Sequence, residues 1–170
     1  MMTKKTLFGW YDTVLHVLDR FASAMVTITM AVMSIVLLLQ VFYRYVLNDS
    51  LVWGWDIPRV CFIWAVMFAI PLGIRYNAHV GIELVVDRFS ESAKRIAVSF
   101  NALLILILSG TIAYYAALLT RDTWDQLMPG IPLSVGVFYA SLVIGQIHTC
   151  LHVGRILITG QPSTEHWSES

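Results

Sequence analysis

Charged residues are scarce in this chain of 170 residues, where Asp, Glu, Lys and Arg make up 13% of the sequence. Soluble domains carry about 25%. The few charges also cancel, with 11 basic and 11 acidic residues, so no net charge favours binding to nucleic acid or another polyanion. Hydrophobic residues reach 58%, and the mean hydropathy is +0.71. This composition indicates that lipid surrounds most of the chain.

Motifs for catalysis and cofactor binding are also missing. The sequence has no glycine-rich phosphate loop and no nucleophile at a recognisable spacing from a base, so we expect no enzyme activity. The two cysteines, Cys61 and Cys150, fall near opposite ends of different apolar segments and are predicted to be free thiols.

One histidine pair lies within the last long apolar segment. His148 and His152 are spaced i, i+4 and have the residue type that ligates metal or haem. A haem between helices needs a facing histidine at similar depth, whereas His16 and His79 fall outside the apolar segments. We therefore predict no metal and no cofactor.

Long apolar segments dominate the sequence. A transmembrane helix needs about 20 apolar residues, and four stretches satisfy this length: Phe21 to Tyr43, Ile57 to Tyr76, Ile96 to Thr120 and Ile131 to Gly154. The predicted fold class is an all-α membrane protein with four transmembrane helices, at about residues 21–45, 57–76, 95–120 and 131–157. Together they form one domain over residues 21–158.

The distribution of basic residues predicts the topology. If the N-terminus is cytoplasmic, the outer side has only three basic residues, Arg44, Arg59 and Arg121. The inner side then receives the other eight, which are Lys4, Lys5, Arg20, Arg75, Arg88, Lys94, Arg95 and Arg155. Cytoplasmic loops are enriched in Lys and Arg, so the pattern favours both termini inside.

Amphipathic segments flank the first two helices. In residues 1–20 the apolar positions recur every three or four residues, and the polar residues Asp12, His16 and Asp19 lie off that face. The segment is predicted to lie in the cytoplasmic interface or to extend helix 1; the pattern leaves both open. A second amphipathic segment, around Ile82 to Phe89, is predicted on the inner surface. Residues 159–170 are predicted to be a disordered tail.

Small residues recur every four positions on two helices. Helix 2 carries Ala65, Ala69 and Gly73, and helix 3 carries Ser109, Ala113 and Ala117. Small residues on one face let helices approach closely in lipid. These stripes are predicted to pack the four helices together, or to face another subunit.

The charges that border the membrane cluster between helices 1 and 2. Arg44 ends helix 1, Asp56 and Arg59 begin helix 2, and Trp53 lies in the aromatic loop between them. We predict an ionic clasp of Asp56 with Arg59 or Arg44 at the outer interface, which a partner could also contact.

Several short motifs occur in order here: Gln40-Val41-Phe42-Tyr43-Arg44-Tyr45, then Trp53, Asp56 and Arg59, then Phe62-Ile63-Trp64, and finally Arg75, His79, Glu83 and Asp87. This order resembles the small membrane (Q) subunit of TRAP transporters, over residues 40 to about 87. Two departures occur: Trp55 stands where the family usually has an acidic residue, and Ala140-Ser141 stands where a Leu-Pro pair is common.

The resemblance implies a subunit of a sodium-coupled secondary transporter in the bacterial inner membrane. Its partners would be a large (M-type) membrane subunit, a periplasmic substrate-binding protein and membrane lipid. Such systems take up organic acid anions such as C4-dicarboxylates or sialic acids. The small subunit is expected to act as a scaffold for the large subunit and as part of the docking surface for the binding protein. Two alternatives are a self-oligomerising small transporter or channel, and the membrane anchor of a redox complex.

Overall fold

A computed structural model describes residues 3–75 and 91–159, with side-chain packing for residues 9–75 and 96–158. Four long helices make up nearly all of this part: α1 (Thr3–Val46), α2 (Asp56–Arg75), α3 (Glu91–Asp122) and α4 (Gly136–Thr159). Each is long and apolar enough to cross a membrane. The predicted all-α class and the four membrane-spanning helices are confirmed. The predicted inner-surface helix, His79, Glu83, Asp87 and the tail after residue 159 lie outside the described residues.

Helix α1 is much longer than a membrane span requires. Its 44 residues extend about 66 Å at 1.5 Å per residue, roughly twice the thickness of the hydrocarbon core. The helix is continuous across residue 20. Of the two possibilities for residues 1–20, the structure therefore favours an extension of helix 1.

The helices pack in the spatial order α1, α2, α4, α3, and α1 touches α4 only weakly. Helix α1 buries Leu15, Ala22, Thr29 and Val36, which recur every seven residues. Helix α3 buries Ala102, Ser109 and Ala116 at the same interval. A seven-residue repeat is typical of helices that cross at small angles through a narrow seam. The other faces of α1 and α3 expose large apolar side chains, as expected for surfaces in contact with lipid or another membrane protein.

Glycine allows α2 and α4 to approach most closely. A Cβ atom at Gly145 would lie 2.6 Å from the backbone oxygen of Met67 and 3.0 Å from its Cβ. These separations are shorter than van der Waals contact, so no larger residue fits without moving the helices apart. Such contacts stabilise helix pairs in lipid, where burial of apolar surface gives little driving force.

Helix α4 begins at Gly136, five residues later than predicted. The turn through Pro129 and Pro132 is instead flanked by paired backbone. The Met128 amide donates to the Leu133 carbonyl at 2.9 Å, and the Val135 amide donates to the Gln126 carbonyl at 2.8 Å. Ser134 Oγ then accepts a hydrogen bond from the Gly136 amide at 3.0 Å. The short hairpin satisfies backbone groups that a helix starting between two prolines would leave unpaired.

Candidate functional site

A buried carboxylate cluster joins α1, α2 and α4 near one end of the bundle. This end, which holds Asp19 and Arg75, is called the termini end; the opposite end, with residues 47–55 and 123–135, is called the loop end. Asp19 on α1 is only 3% exposed. Its Oδ1 accepts hydrogen bonds from Nε2 of His148 at 3.0 Å and from Nε2 of His152 at 2.7 Å. Its Oδ2 accepts a hydrogen bond from Arg75 at 3.0 Å.

The local structure of each helix explains why these groups meet. Asp19 lies four residues after Leu15 and three before Ala22, so it belongs to the buried seam of α1. His148 and His152 are one turn apart on α4, which places both rings on the same face. Their ring centroids are 5.0 Å apart, and both rings are at least 95% buried. Arg75 is the last described residue of α2, and its side chain reaches Asp19.

An open cleft of about 660 Å³ borders the cluster on the α1 side. Its polar lining includes Thr13, His16, Asp19, Arg20 and Arg75. His16 Nδ1 lies 3.4 Å from a guanidinium nitrogen of Arg75. The cleft therefore gives access from the protein surface to one side of the Asp19 carboxylate.

Two further polar contacts connect α1 to α4 beside the cluster. The Tyr11 hydroxyl donates to the backbone carbonyl of Leu151, and Arg155 pairs with Asp12 at 2.9 Å. Since α1 and α4 otherwise touch weakly, polar groups account for most of their specific contact. These contacts hold the first part of α1 against the last part of α4.

The cluster lies off the middle of the bundle, towards its termini end. Helix α2 has 20 residues, so Asp56 and Arg75 lie about 28 Å apart, close to the thickness of the hydrocarbon core. His148 follows the start of α4 by about 18 Å and His152 by about 24 Å. Both histidines therefore lie in the second half of α4, away from the loop end.

Sequence reasoning missed this cluster. The sequence pattern predicts Asp19 off the apolar face of residues 1–20, but the structure buries it, because its carboxylate contacts α4 and Arg75. The sequence predicts no metal or haem at His148 and His152 because no histidine faces them. In the structure the facing group is the carboxylate of Asp19. One signal could have found it: Asp19 is in register with the apolar seam of α1, where a charged residue requires a partner.

At the loop end, Asp56 has a different partner from the one predicted. It is 8% exposed, and its Oδ2 accepts a hydrogen bond from the Gly130 amide at 2.7 Å, which joins the start of α2 to the hairpin before α4. In the described chain Asp56 forms no ion pair with Arg44 or Arg59. The guanidinium of Arg44 lies 6.0 Å from the Tyr45 ring centroid, and that of Arg59 lies 5.6 Å from Phe138. The predicted ionic clasp is corrected, because a backbone donor already satisfies the carboxylate and aromatic faces receive the cations.

The glutamine of the resembling motif also contacts the loop. In the amide orientation that gives both the nitrogen and the oxygen of Gln40 a hydrogen bond, the nitrogen donates to the Gly54 carbonyl at 2.9 Å. The oxygen accepts from the Trp55 indole at 3.2 Å. Trp53 lies half-buried in the same 3₁₀ turn, Val52–Gly54. Trp55, which departs from the usual acidic residue, therefore has a structural partner of its own.

The predicted small-residue stripes are only partly covered. Ala65 and Ser109 are buried, and Gly73 and Ala113 are half-buried, whereas Ala69 and Ala117 are exposed. The buried face of α3 follows Ala102, Ser109 and Ala116 rather than the predicted four-residue spacing. Part of each stripe thus remains open on the surface of this chain.

Four membrane-capable helices with polar contacts at both ends define a multi-pass membrane protein. The family model of the DctQ component of tripartite ATP-independent periplasmic (TRAP) transporters matches residues 33–161, and the chain belongs to this family. It is a small permease subunit of a TRAP transporter, and the family is a transporter component rather than an enzyme.

Three relatives carry names that agree with this family. A Haemophilus influenzae protein provisionally named a TRAP transporter small permease is 23% identical over 130 residues, which cover 76% of this chain and 79% of the relative. A second protein of that organism, named in the same way, is 22% identical over 146 residues, covering 85% and 90%. The C4-dicarboxylate TRAP transporter small permease DctQ of Vibrio cholerae is 23% identical over 123 residues, covering 69% of this chain and 53% of the relative.

Proposed function

We propose that this subunit is a membrane scaffold that holds the large TRAP subunit at a fixed depth and forms part of the docking surface for the periplasmic binding protein. The complete transporter would carry out sodium-coupled uptake of an organic acid anion across the bacterial inner membrane. The tripartite organisation named for the family supports both partners. The C4-dicarboxylate named for the Vibrio cholerae relative supports an organic acid as the substrate class.

The observation that carries the scaffold role is how little of α1 and α3 the chain itself covers. Each helix has few fully buried residues, and many of its large apolar side chains are exposed. A membrane transporter normally places its substrate site between packed, broken helices near the midplane. Here the four helices are unbroken, and the buried ionisable groups of the described residues already contact one another or the backbone.

The chemistry of the buried cluster also argues against a substrate site within this chain. Its centre is a carboxylate that accepts three hydrogen bonds, and a second carboxylate placed beside it would be repelled. The contacts of Asp19 instead connect three helices. Such fixed polar contacts suit a rigid element against which another subunit moves.

The exposed residues of the small-residue stripes offer a contact face for the large subunit. Ala69 on α2 and Ala117 on α3 are exposed although their small side chains permit close helix approach. Ala65, one turn before Ala69, is 4% exposed and provides a matched position inside the chain.

Co-purification with the large subunit tests this assignment. We expect Ala69→Leu and Ala117→Leu to reduce recovery of the large subunit while the small subunit alone keeps its wild-type melting temperature. Ala65→Leu should lower the melting temperature of the small subunit itself, because overpacking a buried position costs about 1–3 kcal/mol. Unchanged recovery with both exposed variants would remove these stripes from the interface.

A further inference from the structure

We propose that Asp19, His148 and His152 form a binding site for one divalent transition-metal ion of the Zn²⁺ type. The proposal does not depend on the scaffold role, since a metal bound here would act within this chain. It rests on three buried side chains from two helices whose donor atoms converge on one point.

The donor set and its geometry match this class of ion. Oδ1 of Asp19 and Nε2 of each histidine all lie within 4.8 Å of one another. Zn²⁺ binds imidazole nitrogen and carboxylate oxygen at about 2.0–2.2 Å, which places neighbouring ligands of a tetrahedral site about 3.3 Å apart. The present separations from Asp19 are 3.0 and 2.7 Å, so these two pairs need to open by only a few tenths of an ångström, and the two Nε2 atoms lie within 4.8 Å of each other.

Metal binding would change only which ring nitrogen of each histidine carries the proton. As hydrogen-bond donors to Asp19, both imidazoles carry a proton on Nε2. As ligands, each would present the Nε2 lone pair and carry its proton on Nδ1. The i, i+4 spacing on α4 aims both nitrogens at one ion, as in helical zinc sites that use two histidines one turn apart.

The surroundings supply the remaining parts of a metal site. Arg75 donates to Oδ2, the carboxylate oxygen left over for it when Oδ1 binds the metal, and so would hold Asp19 in its ligating orientation. The cleft beside Asp19 gives an ion a route from the surface. Three protein ligands leave a fourth position for water or another donor. Hard cations such as Mg²⁺ and Ca²⁺ are disfavoured, because they prefer oxygen ligands.

Metal binding to the purified full-length chain tests the proposal. After exposure to Zn²⁺ and dialysis against metal-free buffer, we expect one equivalent of zinc by elemental analysis. Co²⁺ titration should give visible absorption bands of a four-coordinate nitrogen and oxygen site, and Zn²⁺ should raise the melting temperature. All three measurements use the wild-type chain and remain informative if a variant does not fold.

Matched variants locate the ion. His148→Gln, His152→Gln and Asp19→Asn should each abolish retention of zinc through dialysis. Arg75→Gln should weaken binding by about 10–100-fold, as measured for residues that orient ligands. His16→Gln and Cys150→Ser are the controls, because each removes a nearby donor that is not among the three ligands, and both should keep the wild-type stoichiometry.

Two results would overturn the proposal. One is a wild-type chain that retains no stoichiometric zinc and shows no cobalt bands, in which case the cluster is held by hydrogen bonds alone. The other is zinc retention that survives in both histidine variants but is lost in a control variant, which would place the ion elsewhere.

Discussion

The imidazole of His152 donates to the carboxylate of Asp19 across 2.7 Å and so links residues that are 133 positions apart in the sequence. They belong to α1 and α4, two helices that touch weakly along the rest of their length. The contact therefore links the first helix directly to the last, whereas the rest of their packing runs through α2.

Loss of the Asp19 carboxylate should destabilise the bundle. Asp19→Asn removes the carboxylate charge 3.0 Å from Arg75, whose side chain is 14% exposed, and weakens the contacts of both histidines. Breaking hydrogen bonds to a buried charged group costs about 1–3 kcal/mol or more. We expect a lower melting temperature of the purified chain in detergent.

Asp12→Asn is the matched control for Asp19→Asn. Asp12 also pairs with an arginine of the same bundle end, but its side chain is 34% exposed. Exposed ion pairs contribute about 0–1 kcal/mol. Equal effects of the two variants would show that the Asp19 cluster is no more important to stability than a surface pair.

The close approach of α2 and α4 should make Gly145 sensitive to a single methyl group. In Gly145→Ala the added Cβ would lie 2.6 Å from the Met67 carbonyl oxygen, so the helices must separate and lose packing. Overpacking of this kind costs about 1–3 kcal/mol. Gly73→Ala is the control, because its Cβ would meet nothing within 4 Å and alanine favours the helix by about 1 kcal/mol. We therefore expect Gly145→Ala to lower the melting temperature and Gly73→Ala to raise it. A Gly145→Ala chain as stable as the wild type would contradict the close approach of α2 and α4.

At the loop end, Asp56→Ala should cost more than Asp56→Asn. Alanine removes the acceptor for the Gly130 amide, at about 1–3 kcal/mol, whereas asparagine retains a carbonyl oxygen that can accept the same bond. Arg44→Gln and Arg59→Gln should have small effects, since neither arginine pairs with Asp56. If thermal unfolding gave the two arginine variants the same loss as Asp56→Ala, the original ionic clasp would be reinstated.

The basic-residue distribution predicts that the termini end faces the cytoplasm. Single cysteines at Asn48 and Ser92 in a chain lacking Cys61 and Cys150 should react with impermeant thiol reagents from opposite sides of the membrane. Asn48 is expected to label from the periplasm, because the outer side holds only three of the eleven basic residues. Labelling of the cysteine at position 92 from the periplasm would contradict this topology.

The sequence predicts the spans well and the polar contacts poorly, for a physical reason. Apolar length is a local property, so the second span, predicted to begin at residue 57, begins within one residue of α2, whose first residue is Asp56. The partner of a polar residue depends on which distant helix packs beside it. Asp19 meets His148 and His152, and Asp56 meets a backbone amide at Gly130, because of the order α1, α2, α4, α3, which no local pattern encodes.

The start of α4 shows a further limit of local patterns. The apolar run from Ile131 suggested a helix from that residue, but its first residues pair with Gln126 and Met128 across the hairpin. Hydrophobicity alone does not distinguish an apolar hairpin from the first turn of a helix.

Reconstitution tests the central claim, that this subunit supports transport only together with a larger membrane subunit. Proteoliposomes containing this chain, the large subunit and the binding protein should accumulate a labelled C4-dicarboxylate or sialic acid when an inward sodium gradient is imposed. Proteoliposomes with this chain and the binding protein alone should accumulate none above protein-free vesicles. Sodium-dependent uptake by this chain without the large subunit would contradict the scaffold role and show that the translocation path lies within these four helices.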